Sequence, residues 1–105
     1  MSGIEENVQL NGVSSHSKDR KLITINQQPV MEWALHILTE LVQHGTVTLE
    51  ARGDLIPTAV AVANIVTENM MKGNSRIVDI VVDSESQGNF GPLVSIIAIT
   101  ITKTN

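Results

Sequence analysis

Four side chains with metal-binding chemistry recur every fourth residue in one segment of the chain: Glu32, His36, Glu40 and His44. On a helix this spacing places all of them on one side, where carboxylates and imidazoles could hold a cation such as zinc. The same spacing is typical of an exposed polar stripe, in which Glu and His pair weakly at positions i and i+4. Because the sequence shows no second set of groups that would orient such ligands, we expect the polar stripe and predict no metal site.

The sequence also lacks the groups that a catalytic site would need. His44, Arg52 and Asp54 could meet near one end of a sheet, but neither a nucleophile nor a phosphate-binding glycine loop accompanies them. The chain has no cysteine, which excludes disulfides, thiolate chemistry and cysteine-ligated zinc. We therefore expect a binding protein that is not an enzyme, with no cofactor and no small-molecule substrate.

The chain is acidic and has the size of one domain with a modest core, at 105 residues. Seven Lys and Arg residues against eleven Asp and Glu residues give a formal net charge of -4. This is the wrong sign for a generic DNA-binding protein, whose cations release counterions from phosphates. No apolar run approaches the roughly 20 residues that span a bilayer, and Glu5 and Glu6 do not fit a secretory signal. A cytoplasmic location without a membrane partner is expected.

Residues 1–20 are rich in Ser and Gly and show no clear period. This predicts a flexible N-terminal tail that precedes a domain at 21–105. The tail ends in a small cationic cluster of His16, Lys18, Arg20 and Lys21. The cluster is either part of a solvated linker or a weak contact for phosphate.

The rest of the chain alternates strand and helix patterns. Runs of β-branched or alternating residues predict strands at 21–26, 46–52, 76–84 and 93–102. Pro29 is expected to open a helix at 30–44 that Gly45 ends, and Asp54 to cap a second helix at about 55–71. The first helix has a predicted apolar face formed by Met31, Ala34, Leu35, Leu38, Leu41 and Val42.

The second predicted helix is apolar on nearly every side, and Glu68 is its one charged residue. A single layer of sheet cannot cover such a helix in a domain this small. We therefore expect a homodimer in which a second copy covers the remaining face of the helix. The residues expected at that interface are Val62, Val66 and Met70.

Two segments of the chain carry a family resemblance. The first strand runs into Gln27-Gln28-Pro29-Val30-Met31, and Ala51-Arg52-Gly53 precedes the second helix. These segments resemble the two surface elements by which the Alba family of small chromatin and RNA-binding proteins contacts nucleic acid. The resemblance covers about residues 21–103. It implies an α+β two-layer sandwich in the order β-α-β-α-β-β, with two helices on one face of a four-stranded mixed sheet.

The resemblance also implies a homodimer that binds DNA or RNA without sequence specificity and associates with the chromosome. Gln27 and Gln28 stand where the family carries lysines that reach phosphates; glutamine can donate hydrogen bonds but releases no counterion. Arg52 keeps its family position and is the strongest phosphate ligand that the resemblance implies. Asp54 and Thr58 stand where an arginine and a lysine are common, so the surface has lost charge.

The last hairpin of the family usually carries arginines, whereas the one charge at 84–92 of this chain is Glu85. Gln87, Asn89 and Phe90 could instead bind nucleic acid through hydrogen bonds and stacking. Stacking of an unpaired base on an aromatic ring is worth about 1–3 kcal/mol. Alternatively, Phe90 folds back onto the hairpin or onto a partner subunit.

Two functions are consistent with this pattern. The first is an Alba-type nucleic-acid-binding dimer with weakened electrostatic contacts, which favours RNA or needs a more basic partner subunit. The second is an interaction module that keeps the dimer, has lost nucleic-acid binding and acts as heterodimer partner or regulator of a basic relative. Arg52 and the retained architecture favour the first function, and Asp54, Glu85 and the net charge favour the second.

Overall fold

A computed structural model of the chain describes residues 20–86, 88–89 and 91–105. The tail expected at 1–20 lies outside the described residues except for Arg20, which is the first residue of a strand. The elements are β1 (Arg20–Thr24), α1 (Val30–His44), β2 (Thr46–Arg52), a 3-10 turn (Gly53–Leu55), α2 (Ile56–Ile65), a π turn (Val66–Met70), β3 (Ser75–Ser86) and β4 (Leu93–Lys103).

The strands form one mixed sheet in the order β1-β2-β4-β3. β1 is parallel to β2, and the two other pairings are antiparallel. Alternate residues of β2 and β4 point towards the helices and are buried, among them Leu49 and Ile99. The expected α+β sandwich is therefore confirmed, with both helices on one face of a four-stranded mixed sheet.

The other face of the sheet carries no helix, and we call it the open face. Because directly opposite residues share a face, the register places Thr46 beside Thr102 and Thr48 beside Thr100 here. The hydroxyl groups of both pairs are hydrogen-bonded across the strands at 3.0 Å. The open face is thus polar at the centre of the sheet.

Helix α1 begins after Pro29 and ends at Gly45, as expected, but it is rotated from the predicted orientation. The predicted apolar face included Met31, Leu35 and Val42, and each of these is more than half exposed. The buried residues are Trp33, Ala34, Ile37 and Leu41. Nine of the fifteen residues in α1 are apolar, so its pattern fits two faces, and the burial of Trp33 selects between them.

Helix α2 begins two residues later than its predicted cap, Asp54, because the 3-10 turn intervenes. Leu55 occupies the N-cap position, and no side chain caps the helix. Gly53 makes the turn possible with a positive φ of 54°, a conformation that residues with a Cβ rarely adopt. The prediction of an Asp54 cap was therefore wrong.

Two of the three residues expected at a dimer interface belong to the core of the single chain. Val62 and Val66 are both 0% exposed, and Met70 is partly buried against the same core. A second copy cannot contact Val62 or Val66, because the chain's own sheet and α1 already enclose them. The side of α2 that stays exposed carries Val60.

Among the described residues, no helix is both long and apolar enough to cross a membrane.

Candidate nucleic-acid interface

The turn between β1 and α1 presents Gln27 and Gln28 to solvent, and Trp33 holds it in place. The carbonyl oxygen of Asn26 accepts a hydrogen bond from the backbone N–H of Gln28 at 3.0 Å. It also accepts one from the indole N–H of Trp33 at 3.1 Å. Since the ring of Trp33 is buried in the core, the turn is tied to the interior while both glutamine side chains remain exposed.

This turn lies beside the end of β2. The backbone N–H of Ile25 donates to the carbonyl of Glu50 at 2.8 Å, which continues the pairing of β1 with β2 past Thr24. The next residues on the two strands are therefore neighbours, so the glutamine turn lies close to Arg52 and Gly53. The structure thus brings Gln27, Gln28 and Arg52 to one end of the sheet.

The guanidinium group of Arg52 is about half exposed and is already paired. Its Nη1 donates to the carboxylate Oε1 of Glu85. The two residues lie on the open face on either side of β4, where Arg52 faces Ile96 and Glu85 faces Val94. A phosphate that approaches Arg52 must therefore compete with a carboxylate of the same chain.

The β3–β4 hairpin extends beyond Arg52. Leu93 lies about 10 Å further along β4 than Ile96, at about 3.4 Å per residue. The hydroxyl of Ser86 donates to the carbonyl of Gly88 at 2.6 Å, and Asn89 is exposed. The predicted contacts of Gln87 and Phe90 lie outside the described residues. Asn89 belongs to the same end of the molecule as Arg52, but further out.

We call this part of the molecule the hairpin end: the turn of Gln27 and Gln28 with the first turn of α1, the last residues of β2 with the turn after them, and the β3–β4 hairpin. It is acidic. One arginine, Arg52, is present among its described residues, together with the carboxylates of Glu32, Glu50, Asp54, Asp83 and Glu85. Such a surface repels a polyanion unless hydrogen bonds or a change of charge compensate.

The four metal-type side chains of α1 form the polar stripe. The carboxylate of Glu40 pairs with Nε2 of His36 at 3.3 Å and with Nε2 of His44 at 3.2 Å. The imidazole of His36 also stacks on the indole of Trp33, with ring centroids 5.4 Å apart. In the described part of the chain, no group of three or more such side chains is arranged to hold a metal ion.

With the fold and this surface established, comparison with known proteins identifies the family. The model of the protein family described as Alba matches residues 21–84 of the chain. The chain belongs to the Alba family. Alba proteins are in general non-enzymatic and bind nucleic acids, so the resemblance in the sequence is confirmed at this level.

Two solved structures of Alba proteins superpose on the chain. Alba from Thermoplasma volcanium is 29% identical with a TM-score of 0.68, and the match covers 78% of this chain and 99% of that one. An Alba protein from Trypanosoma brucei is 18% identical with a TM-score of 0.67, and the match covers 82% of this chain and 71% of that one. The second similarity supports the fold alone.

Sequence reasoning missed two residues of this surface. In the sequence Glu85 is the one charge of the hairpin, and in the structure it is the partner of Arg52. The opposite charges were visible, but only the register of β3 on β4 shows that the two residues meet. Trp33 fixes the turn of Gln27 and Gln28, and its position just after Pro29 is the signal in the sequence for this role.

Proposed function

We propose that this chain is a dimeric nucleic-acid-binding protein of the Alba family whose electrostatic contacts are weakened and not specific for sequence. Family membership is the observation that carries the proposal. The exposed surface formed by Gln27, Gln28 and Arg52 supports it, because these groups retain hydrogen-bond donors at one end of the sheet. Cytoplasmic location and association with the chromosome are part of the same proposal.

The uncovered part of the sheet supports the dimer. The helices do not cover the outer half of β3, even on the face of the sheet against which they pack. On that face, Ile80 and Val82 are 53% and 70% exposed. Leu93, on the same side of β4, is 72% exposed, and Val60 of α2 is also exposed. Exposed apolar side chains of this kind are typical of a contact between protein chains. A second copy would cover them with the same residues, as a two-fold interface requires.

The weakened contact follows from the charges at the hairpin end. Gln27 and Gln28 can donate hydrogen bonds to phosphate without releasing counterions. Arg52 is held by Glu85. Nucleic acid bound here would therefore show a shallow dependence on salt, with a slope near -0.9 for duplex DNA if a single phosphate is neutralised.

A fluorescence anisotropy titration tests the proposal. Duplex DNA and single-stranded RNA of the same length are titrated with the intact protein at low salt, and sedimentation of the same sample gives its oligomeric state. We expect a dimer that binds at least one of the two nucleic acids. Absence of binding to both would reject the proposed function.

The ion pair between Arg52 and Glu85 favours a second candidate function. In that case the chain keeps the dimer fold and acts as heterodimer partner or regulator of a basic relative. The double variant Gln27→Lys with Gln28→Lys discriminates between the two. A large gain in DNA affinity would show that the binding geometry persists, and no gain would favour the interaction module.

A further inference from the structure

The positive charge of the chain is concentrated at the end of the sheet opposite the hairpin end. Of the six described lysines and arginines, all except Arg52 lie there: Arg20, Lys21, Lys72, Arg76 and Lys103. The first residues of β1 and β3 and the last residues of β4 meet at this edge. We call it the basic end. Within the described residues, the ion pairs involve His36, His44 and Arg52 only, so none of the five pairs with a described carboxylate.

Two of these cations belong to a single row that crosses the sheet on the open face. Arg20 of β1 faces Thr46 of β2, Thr46 faces Thr102 of β4, and Thr102 faces Arg76 of β3. Both arginines are exposed. Three strand spacings of about 4.8 Å separate their Cα atoms, so the arginines lie about 14 Å apart.

The two threonines between the arginines have a defined pattern of hydrogen bonds. The hydroxyl of Thr102 donates to the carbonyl of Gly45 at 3.2 Å. Because a hydroxyl has one proton, Thr46 must then be the donor in the 3.0 Å bond between the two hydroxyls. The proton of Thr46 is therefore engaged, and its oxygen retains lone pairs that can only accept.

We propose that the row Arg20–Thr46–Thr102–Arg76 binds the backbone of single-stranded RNA. The guanidinium groups supply donors that fit phosphate oxygens, and the oxygen of Thr46 accepts a hydrogen bond from a ribose 2′-hydroxyl. A deoxyribose backbone lacks that donor. The inference rests on the proposed nucleic-acid binding and assigns the ionic part of the contact to the basic end rather than to Arg52.

The test titrates the intact protein with single-stranded RNA of mixed sequence and follows binding by fluorescence anisotropy. The titration is repeated at salt concentrations from about 0.1 to 1 M, because the dependence of the affinity on salt measures counterion release. The row variant is Arg20→Gln with Arg76→Gln. The matched control is Lys21→Gln with Lys103→Gln, which removes the same charge from the same end but from the side that faces the helices. Two phosphate contacts on a single strand contribute about 1.4 to the slope of log affinity against log salt concentration. These contacts therefore strengthen binding about 25-fold when the salt concentration falls from about 1 M to 0.1 M.

We expect the row variant to lose that slope and most of that affinity, and the control to lose less than half as much. Equal losses in both variants would overturn the assignment, since the net charge and not the row would then decide. A loss with Arg52→Ala and none with the row variant would overturn it and leave the proposed function intact. No binding by the unmodified protein would instead reject the proposed function itself.

The role of Thr46 is tested separately with Thr46→Val, which keeps the shape of the side chain and suits a strand. The probes are single-stranded RNA and single-stranded DNA of equivalent sequence. We expect the unmodified protein to prefer RNA several-fold, and the variant to bind RNA about as weakly as DNA. Equal affinity of the unmodified protein for both strands would refute the 2′-hydroxyl contact. So would an unchanged preference for RNA in the variant.

Discussion

The ion pair between Arg52 and Glu85 predicts that the guanidinium group of Arg52 is less available to phosphate. Replacing Glu85 with Gln keeps the length of the side chain and a hydrogen-bond acceptor but removes the charge that competes with phosphate. Exposed ion pairs contribute about 0.2–1 kcal/mol. At about 1.4 kcal/mol per factor of ten, freeing the guanidinium should tighten nucleic-acid binding by roughly 1.4-fold to 5-fold.

The matched control is Asp83→Asn. Asp83 lies on the same face of the same strand and faces Ile96, which in turn faces Arg52. Two strand spacings, about 10 Å, thus separate Asp83 from Arg52, and Asp83 does not contact the guanidinium. At that distance the bare interaction in water is about 0.4 kcal/mol, and 0.1 M salt screens it further. The control should therefore change the affinity by less than about 1.5-fold.

The assay is a fluorescence anisotropy titration with the nucleic acid that the unmodified protein binds best. The salt concentration is about 0.1 M, at which the Debye length is about 10 Å. Glu85→Gln is measured alone and together with Arg52→Ala, so that the gain attributable to the pair can be isolated. The gain should vanish when Arg52 is absent. A gain of the same size without Arg52, or from Asp83→Asn, would refute competition at the guanidinium and indicate a general field effect.

Three further substitutions test the fold and the proposed interface. Val82→Asp, on the side of β3 that faces the helices, should convert a dimer to a monomer in sedimentation, whereas Val81→Asp on the open face should leave the dimer intact; equal behaviour would contradict the interface. Leu41→Ala should lower the free energy of unfolding in urea by about 2–5 kcal/mol, and Leu35→Ala, on the exposed side of α1, by less than about 1 kcal/mol. Comparable losses would contradict the observed rotation of α1. Trp33→Phe should cost about 0.5–1.5 kcal/mol, because it removes one of the two hydrogen bonds that the carbonyl of Asn26 accepts; a neutral effect in the same denaturation experiment would show that the bond does not stabilise the turn.

The sequence predicted the order and type of the elements, because each carries its own local signal. Pro29 and Gly45 set the ends of α1, and the alternation from Thr46 to Arg52 matches β2 residue for residue. The predicted strand at 76–84 proved longer, at Ser75–Ser86. The ends of β3 depend on hydrogen bonds to β4, which a local pattern does not contain.

Which side of each helix is buried could not be predicted with the same success. The apolar residues of α1 surround most of the helix, so periodicity favoured the side of Leu35 over the side of Ile37. The decisive contact is between Trp33 and the turn before the helix, which joins two elements. In α2 the same ambiguity led to Val62 and Val66 being assigned to an interface instead of the core. Local patterns likewise cannot predict which side chains meet when they are far apart in the chain, as Glu85 and Arg52 are.

The net charge was a poor guide to where a polyanion could bind. Arg52 lies six positions further along β2 than Thr46, a distance of about 20 Å. This is about twice the Debye length at 0.1 M salt, so a phosphate at the basic end experiences little of the acidic field at the hairpin end. Each end therefore acts as a separate surface, and the net charge of -4 is a sum over the basic end, the acidic hairpin end and further charged residues outside both. The proposed ionic contact with RNA at the basic end therefore does not require positive charge at the hairpin end, and it depends on Arg20 and Arg76 having no carboxylate partner.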